Sequence, residues 1–533
     1  MAADVVIVGA GAAGCVLAAK LSEDPRRRVL LVEAGGRDWH PAYRVPIMAG
    51  LLYGSPRGNW LSETEPEPAL NRRRILWPRG KVMGGSTTIN GMIWHRGRPS
   101  DYERWAAGGL PAWNWDAVLP LFRALERFEG GSCPDHGADG PVPVTLGTSD
   151  NPLHEAFLRS AEEAGHAATA DYNAPPYEGA GRYHFTISGG ERWSAARSVL
   201  QPALARPNLR VLRHATVTRV LFEGRRACGI GVASAGREVA MTAGRVILAA
   251  GTIGSPAILL RSGLGPASDL RALGIPVVDD RPGVGANLQD HLSLRVQHAC
   301  LRPITLHALT RVDRAALAFL AAAVLRRGVG TTMPIGSGLH FRSNGSEPEP
   351  DIQAFFTPSH SQSTVRLPFM PAPPAGALQH AYSLSFYAMR PHSRGRLTLR
   401  DSDPASPPVI RAGYLADARD RERMHRALHL VRKIMAQPSF APFRGEELQP
   451  GGDVTTAPDI DRWIAQTAGS AFHPVGTCKM GLARDPDAVV DQDLAVIGVE
   501  GLTVADASVM PSLTSGNTMA PAMMIALRCA QSS

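Results

Sequence analysis

Cysteine is scarce and unpatterned in this chain. Six cysteines (Cys15, Cys133, Cys228, Cys300, Cys478, Cys529) are scattered over 533 residues without C-x-x-C spacing. Neither a disulfide framework nor a zinc or other metal site is therefore indicated. Cys15, inside the first helical segment, reads as a small buried hydrophobe. Long apolar runs are also missing, and no window reaches the roughly eighteen residues a membrane-spanning helix needs. Lysine is nearly absent. Only Lys20, Lys81, Lys433 and Lys479 occur among 56 basic residues, so the net charge of +8 comes from arginine. That skew suits a GC-rich coding sequence. With no long basic run, stacking-aromatic motif or recognition-helix pattern, it excludes nucleic-acid binding. Internal repeats and low-complexity segments are absent. Met1-Ala2-Ala3-Asp4 runs straight into an apolar strand and leaves no room for a secretory leader, so a cytoplasmic protein is expected. What remains, 44% hydrophobic and 20% charged, is ordinary globular composition with length for two or three domains.

Glycine, by contrast, is patterned. Val5-Val6-Ile7-Val8-Gly9-Ala10-Gly11-Ala12-Ala13-Gly14 reads as a strand, a glycine turn and a helix start. Val29-Leu30-Leu31-Val32 then reads as a second strand closed by Glu33. Gly9 permits the tight turn, Gly11 lets backbone approach a pyrophosphate, and Gly14 lets the helix pack closely on the strand. The helix N-terminus offers free N–H groups to phosphates. Glu33 stands about twenty residues beyond the glycines, where a carboxylate accepts ribose hydroxyls. The pattern predicts dinucleotide binding.

A second glycine window, Arg79-Gly80-Lys81-Val82-Met83-Gly84-Gly85-Ser86-Thr87-Thr88-Ile89-Asn90-Gly91-Met92-Ile93, follows an extended arginine- and proline-rich stretch, Asn59 to Pro78. Each glycine would cost a helix interior about 1 kcal/mol, so the window reads as a loop whose N–H groups wrap a phosphate or a flat heterocycle. Strands are expected at Leu209–Leu212, Ala215–Val220 and Arg245–Ala250. A helix is expected to start at Ser255-Pro256. Between about 300 and 460 alternating stretches such as Tyr382–Tyr387 and Arg396–Leu399 predict an antiparallel sheet, read as a second domain inserted into the first. Ala315–Leu325, eleven apolar residues flanked by Arg314 and by Arg326-Arg327, is too short to span a bilayer. It fits a core or subunit-contact helix, or a membrane-surface contact.

The window from Gly80 and the run Gly251-Thr252-Ile253-Gly254-Ser255-Pro256-Ala257-Ile258-Leu259-Leu260-Arg261-Ser262-Gly263-Leu264-Gly265 resemble the two signatures of the glucose-methanol-choline (GMC) oxidoreductases. Gly283–His291 resembles that family's turn before the substrate domain. Ala471–Gly481 and Val504–Pro511 extend the resemblance almost to the C-terminus, with choline-dehydrogenase-like alcohol dehydrogenases and oxidases most similar. It implies an α/β fold: a Rossmann-type FAD-binding domain with an inserted α+β substrate domain built on an antiparallel sheet. The FAD-binding domain would comprise 1–145 (with a lid loop at about 59–100), 206–298 and 465–533. The substrate domain would comprise 146–205 and 299–464. By resemblance, Gly9, Gly11, Ala13, Gly14 and Glu33 hold the ADP half of FAD, and Val217 meets the adenine. Val82, Gly85, Asn90, Gly91, Met92 and Ile93 line the ribityl and isoalloxazine region, and Asp506, Ala507 and Thr518 close over the flavin. Members that attach FAD covalently carry a histidine where this chain has Ile89, so the cofactor is expected to be non-covalent.

The resemblance further implies oxidation of a primary alcohol to an aldehyde by hydride transfer to flavin N5. His473 matches the proton acceptor and Asn517 its partner, holding the substrate oxygen. Oxygen, a quinone or another acceptor would reoxidise the flavin. A glutamate that serves choline in relatives aligns with Ser337, which argues against choline, and His340 nearby either contacts substrate or faces solvent. The same fold also hosts hydroxynitrile lyases and a light-driven decarboxylase, which stand as the alternative reading.

Overall fold

The computed structural model describes residues 3–234, 237–360 and 379–532. Its first seven-stranded sheet has the order Leu209–Leu212, Val29–Val32, Ala3–Val8, Arg237–Leu248, Arg226–Ser234, Thr216–Glu223, with Leu502–Val504 also paired to Arg237–Leu248. The strands around Ala3–Val8 are parallel, with Val5 opposite Val29 on one side and Arg245 on the other. Parallel strands are covered on both faces, which is why Val5–Val8 is continuously apolar; Val6 and Ile7 are fully buried. Helix Ala12–Leu21 follows directly and packs against the C-terminal helix Met519–Gln531. The last segment of the chain thereby returns to the first.

The second seven-stranded sheet is antiparallel, in the order Arg444–Gln449, Leu292–Cys300, Ala381–Ala388, Ile352–Thr357, Ser337–Phe341, Gly179–Arg182, with Gly469–Ser470 paired to Leu292–Cys300. Strand Leu292–Cys300 runs across the expected boundary at 298/299, so that boundary would cut a strand. Arg396–Thr398 pairs with Val409–Arg411 outside this sheet. Within the expected lid, Ser62–Glu63 pairs with Leu76–Trp77, and Trp77 is buried against the Tyr414 hydroxyl.

Two expectations need correction. The helix expected at Ser255-Pro256 begins at Gly251 and runs to Arg261, with Pro256 inside it. The apolar segment 315–325 is not a core helix. Val312–Leu320 has no buried residue, and Leu317 and Val324 are 68% and 64% exposed. Its apolarity reflects an uncovered stripe rather than burial. Among the described residues no helix is long and apolar enough to cross a membrane.

Candidate active site

A cavity of about 1050 Å³ extends from the glycine turns at the edge of the first sheet to the face of the second. Its construction begins with sterics. Gly9 sits at φ +98, and a Cβ there would fall 2.6 Å from the Ala249 carbonyl oxygen. A Cβ on Gly14 would lie 1.8 Å from the Gly9 oxygen, so Gly14 sets how closely helix and strand approach. Gly11 differs, because a Cβ there meets nothing within 4 Å. It faces the cavity, where helix Ala12–Leu21 presents its first N–H groups. The second glycine loop lies directly over the first. Gly84 N–H donates to the Ala10 carbonyl at 2.7 Å, and a Cβ on Gly85 would come within 2.7 Å of the Gly11 Cα. Two glycine loops that interlock around an open, N–H-lined space fit a dinucleotide pyrophosphate. Glu33 closes this end. Its carboxylate accepts from Ala10 N–H at 2.8 Å and Gly35 N–H at 2.7 Å, which leaves a lone pair on each oxygen for ribose hydroxyls. Burial pushes the Glu33 pKa up against these two donors.

At the far end stands His473. It follows Phe472, whose φ of +68 is a left-handed strain for a non-glycine residue. Three hydrogen bonds enforce that geometry. Phe472 N–H donates to Ser470 Oγ at 2.7 Å, Arg79 Nη2 donates to the Phe472 carbonyl at 2.7 Å, and His473 N–H donates to Asp290 Oδ1 at 2.8 Å. Asp290 is itself held by the Tyr414 and Ser470 hydroxyls. Burial raises its pKa, opposed by these donors.

The tautomer of His473 follows from a chain of contacts. His291 Nε2 lies 2.8 Å from the Met389 carbonyl, which only accepts, so His291 carries its proton on Nε2. Its Nδ1 is then an acceptor. It lies 3.0 Å from His473 Nδ1, which must therefore donate. His473 Nε2 is left with its lone pair, 2.9 Å from Asn517 Nδ2, which donates to it. Burial, then the neighbouring His291, Arg79 and His95, hold the His473 pKa well below the ordinary histidine value. Its imidazole is neutral near physiological pH, with Nε2 able to accept a proton.

Of the expected site residues, Gly9, Gly11, Ala13, Glu33, Gly85, Asn90, Gly91, Met92, Ile93, Val217, His473, Asp506, Ala507, Asn517 and Thr518 line this one cavity. Asp506 also accepts from Gly251 N–H, Ser255 Oγ and Ser508 N–H, clamping the last strand to helix Gly251–Arg261. Gly14 and Val82 are not at the cavity wall; Gly14 packs helix on strand, and Val82 is buried with Ala42, Tyr43, Leu52 and Ile89. Ser337 and His340 are also elsewhere. Ser337 is fully buried and hydrogen-bonded to His154 Nδ1 at 2.7 Å. His340 faces neither substrate nor solvent, being fully buried on the Tyr172 ring with centroids 4.2 Å apart. Their strand is buried on both faces, so alternation along it does not single out a cavity side. The argument against choline drawn from Ser337 therefore falls. The residues missed are Asp290 and His291, which end the Gly283–His291 segment, where the resemblance implies a turn and no site role.

Comparison with known proteins points the same way. Family models described as GMC oxidoreductase match residues 3–293 and 391–526. Mitochondrial choline dehydrogenase of Mus musculus is 44% identical over 98% of this chain and 88% of its own length. Oxygen-dependent choline dehydrogenase of Brucella anthropi is 41% identical over 98% of this chain and 94% of its own. Among solved structures, pyridoxine 4-oxidase from Mesorbium loti superposes with a TM-score of 0.88 at 33% identity, covering 99% of this chain and 98% of that one.

Proposed function

The chain belongs to the GMC oxidoreductase family, adopts its fold and acts on CH–OH donors in choline-dehydrogenase-like alcohol oxidation; from that premise we propose that it is an FAD-dependent dehydrogenase or oxidase converting a primary alcohol to an aldehyde. The observation that carries the reading is the His473–Asn517 pair, 2.9 Å apart, at the meeting of the glycine-lined cavity and the antiparallel sheet. When bound, FAD supplies the hydride acceptor that such an oxidation requires. Gly9, Gly11, Ala13 and Glu33 would hold its ADP half, with Gly14 packing the helix onto the strand and Val217 meeting the adenine. Gly85, Asn90, Gly91, Met92 and Ile93 would hold the ribityl and ring region, backed by Val82, while Asp506, Ala507 and Thr518 would close over it. Ile89 offers no nucleophilic atom, and it is packed among Ala42, Tyr43, Leu52 and Val82, which supports non-covalent binding.

His473 Nε2 takes the hydroxyl proton as the carbon–hydrogen bond is broken. The Asn517 amide N–H holds the substrate oxygen as negative charge grows there. The His473 Nδ1–H bond to His291 stabilises the resulting imidazolium. The two sheets divide this work. Segments 1–146, 206–291 and 471–533 make up the FAD-binding unit, and 147–205 and 292–470 the substrate unit. The dehydrogenase and oxidase relatives favour oxidation over the lyase and decarboxylase readings.

Anaerobic mixing of purified protein with a panel of primary alcohols tests the proposal. A substrate must bleach the flavin band near ~450 nm, because the cofactor stores the hydride. A panel that leaves the band untouched refutes it. Parallel turnover with oxygen and with an artificial acceptor then separates oxidase from dehydrogenase.

A further inference from the structure

The substrate end of the cavity contains an arginine with no carboxylate to neutralise it. Ser293 and Arg295, two apart on strand Leu292–Cys300, both line the cavity, together with Phe355, Thr357 and Ser385 from the neighbouring strands. Arg295 stands opposite Ser385 in the register and donates from Nε to its Oγ at 3.0 Å. That neutral bond leaves the guanidinium's charge unpaired. Among the described residues no carboxylate forms an ion pair with Arg295, and residues 1–2, 235–236, 361–378 and 533 contain no aspartate or glutamate side chain.

The acidic residues that do line the cavity are committed or distant. Glu33 and Asp506 are bonded to backbone N–H groups at the dinucleotide end. Glu65 is paired with Arg74 and Arg400, and Glu63 is exposed on its hairpin. A quaternary ammonium beside Arg295 would thus meet a like charge rather than a carboxylate. A guanidinium lifted out of bulk water without a counter-ion is costly unless a ligand supplies one. Its planar fork matches a carboxylate with two parallel hydrogen bonds.

We propose that Arg295 determines specificity, and that the substrate is a primary alcohol bearing a carboxylate at the end remote from its hydroxyl. This rests on the alcohol-oxidation reading above. The four strand steps from His291, which backs His473, to Arg295 span about 13 Å. The arginine side chain shortens the gap, so an ω-hydroxy acid of several carbons bridges it. Met333, Ile335 and Phe355 give the intervening chain an apolar wall.

The flavin-loaded enzyme is assayed with ω-hydroxycarboxylates of graded length, the matching neutral alkanols and choline. Calorimetry in parallel follows binding of carboxylates that lack the hydroxyl. The carboxylates should exceed matched alkanols in kcat/KM by about 10- to 100-fold, chiefly through KM, the range for a charged hydrogen-bonded pair. Arg295→Met should erase that ratio and abolish binding of the hydroxyl-free carboxylates. Arg295→Lys should keep part of both, and Arg295→Glu should invert the order in favour of choline. Flavin content of each variant confirms an assembled site.

Wild-type enzyme that prefers neutral alcohols or choline, or an unchanged carboxylate ratio in Arg295→Met, overturns the proposal and leaves alcohol oxidation standing. Carboxylate binding that depends on Arg295, in a protein that oxidises no alcohol of any charge, sinks the oxidation reading and keeps the anion pocket.

Discussion

Replacing His291 by phenylalanine tests whether this residue fixes the tautomer of His473. Phenylalanine keeps the ring stacked on Tyr387, where the centroids are 4.2 Å apart, but removes the acceptor 3.0 Å from His473 Nδ1. A buried N–H without a partner costs about 1–3 kcal/mol. His473 escapes that cost by moving its proton to Nε2. There, once the Asn517 amide turns over, it can donate to Asn517 Oδ1, a buried oxygen with no partner among the described residues. The ring in that form has lost the lone pair that takes the substrate proton. The reactive tautomer, and with it the rate of flavin bleaching at saturating alcohol in anaerobic rapid mixing, should fall about 5- to 150-fold. His291→Asn places an amide oxygen near the lost Nδ1 and should recover most of the rate. Both variants lose the 2.8 Å bond from Nε2 to the Met389 carbonyl, so both should melt at lower temperature by a similar amount. The rates, not the melts, separate the two roles. A phenylalanine variant reducing flavin at the wild-type rate, or an asparagine variant as slow as the phenylalanine one, would refute the reasoning and leave His291 as packing.

The remaining predictions are briefer. Because burial and cationic neighbours hold His473 well below 6.5, kcat/KM should be flat above about pH 6.5 and fall only in acid, as the base becomes protonated. His473→Ala should flatten that limb and slow flavin reduction about 10²–10⁴-fold while keeping flavin; Asn517→Ala should keep the limb and lose about 10²–10³-fold. Burial also depresses His95 and His291 to about 3 and His154 to about 4. Their contribution to stability is complete above the unfolded value and is lost as pH falls from there toward those values. Thermal melts between pH 7 and 4 should show it, each histidine contributing about 1.4 kcal/mol per pH unit. Acid precipitation should release yellow flavin into the supernatant; flavin retained in the pellet contradicts the reading of Ile89. Gly11→Ala should leave the melting temperature of the flavin-free protein nearly unchanged yet weaken flavin retention, since its Cβ enters only open space. Gly14→Ala, meeting the Gly9 oxygen at 1.8 Å, should fail to fold.

What the sequence made legible was local geometry. Gly9 and Gly14 could be assigned separate steric duties because each duty concerns backbone a few residues away, and the interatomic distances agree with both, while Gly11 borders open space. The antiparallel strand at Tyr382–Tyr387 was legible from its alternation and lies within Ala381–Ala388. Partnerships across the chain were not legible. His291 meets His473 across 182 residues, and Arg295 faces the cavity only because the register sets it opposite Ser385. Ser337 and His340 were misplaced for the same reason. Alternation identifies a strand, but Ser337–Phe341 is covered on both faces, so nothing in its pattern says which side opens on the cavity. In Val312–Leu320 an apolar stripe was visible, but whether anything covers it is not encoded in the stripe.

The helix that starts at Gly251 shows why the last part of the chain must return to the first. Proline at position 256 has no N–H, so the Thr252 carbonyl, four residues earlier, has no helical donor. Thr477 Oγ1 fills that vacancy at 2.7 Å, and the Thr252 hydroxyl donates in turn to the Pro474 carbonyl at 2.7 Å. These reciprocal bonds tie the loop carrying His473 to the first turn of a helix whose residues Gly251 to Gly254 line the cavity. The position of the base is thereby referenced to the wall that would hold the cofactor as well as to the substrate sheet, where Gly469–Ser470 pairs with Leu292–Cys300 and His291 meets His473. Ser293 pairs with Gly469 and so bears on the loop carrying His473 from one side, while Thr252 and Thr477 hold it from the other.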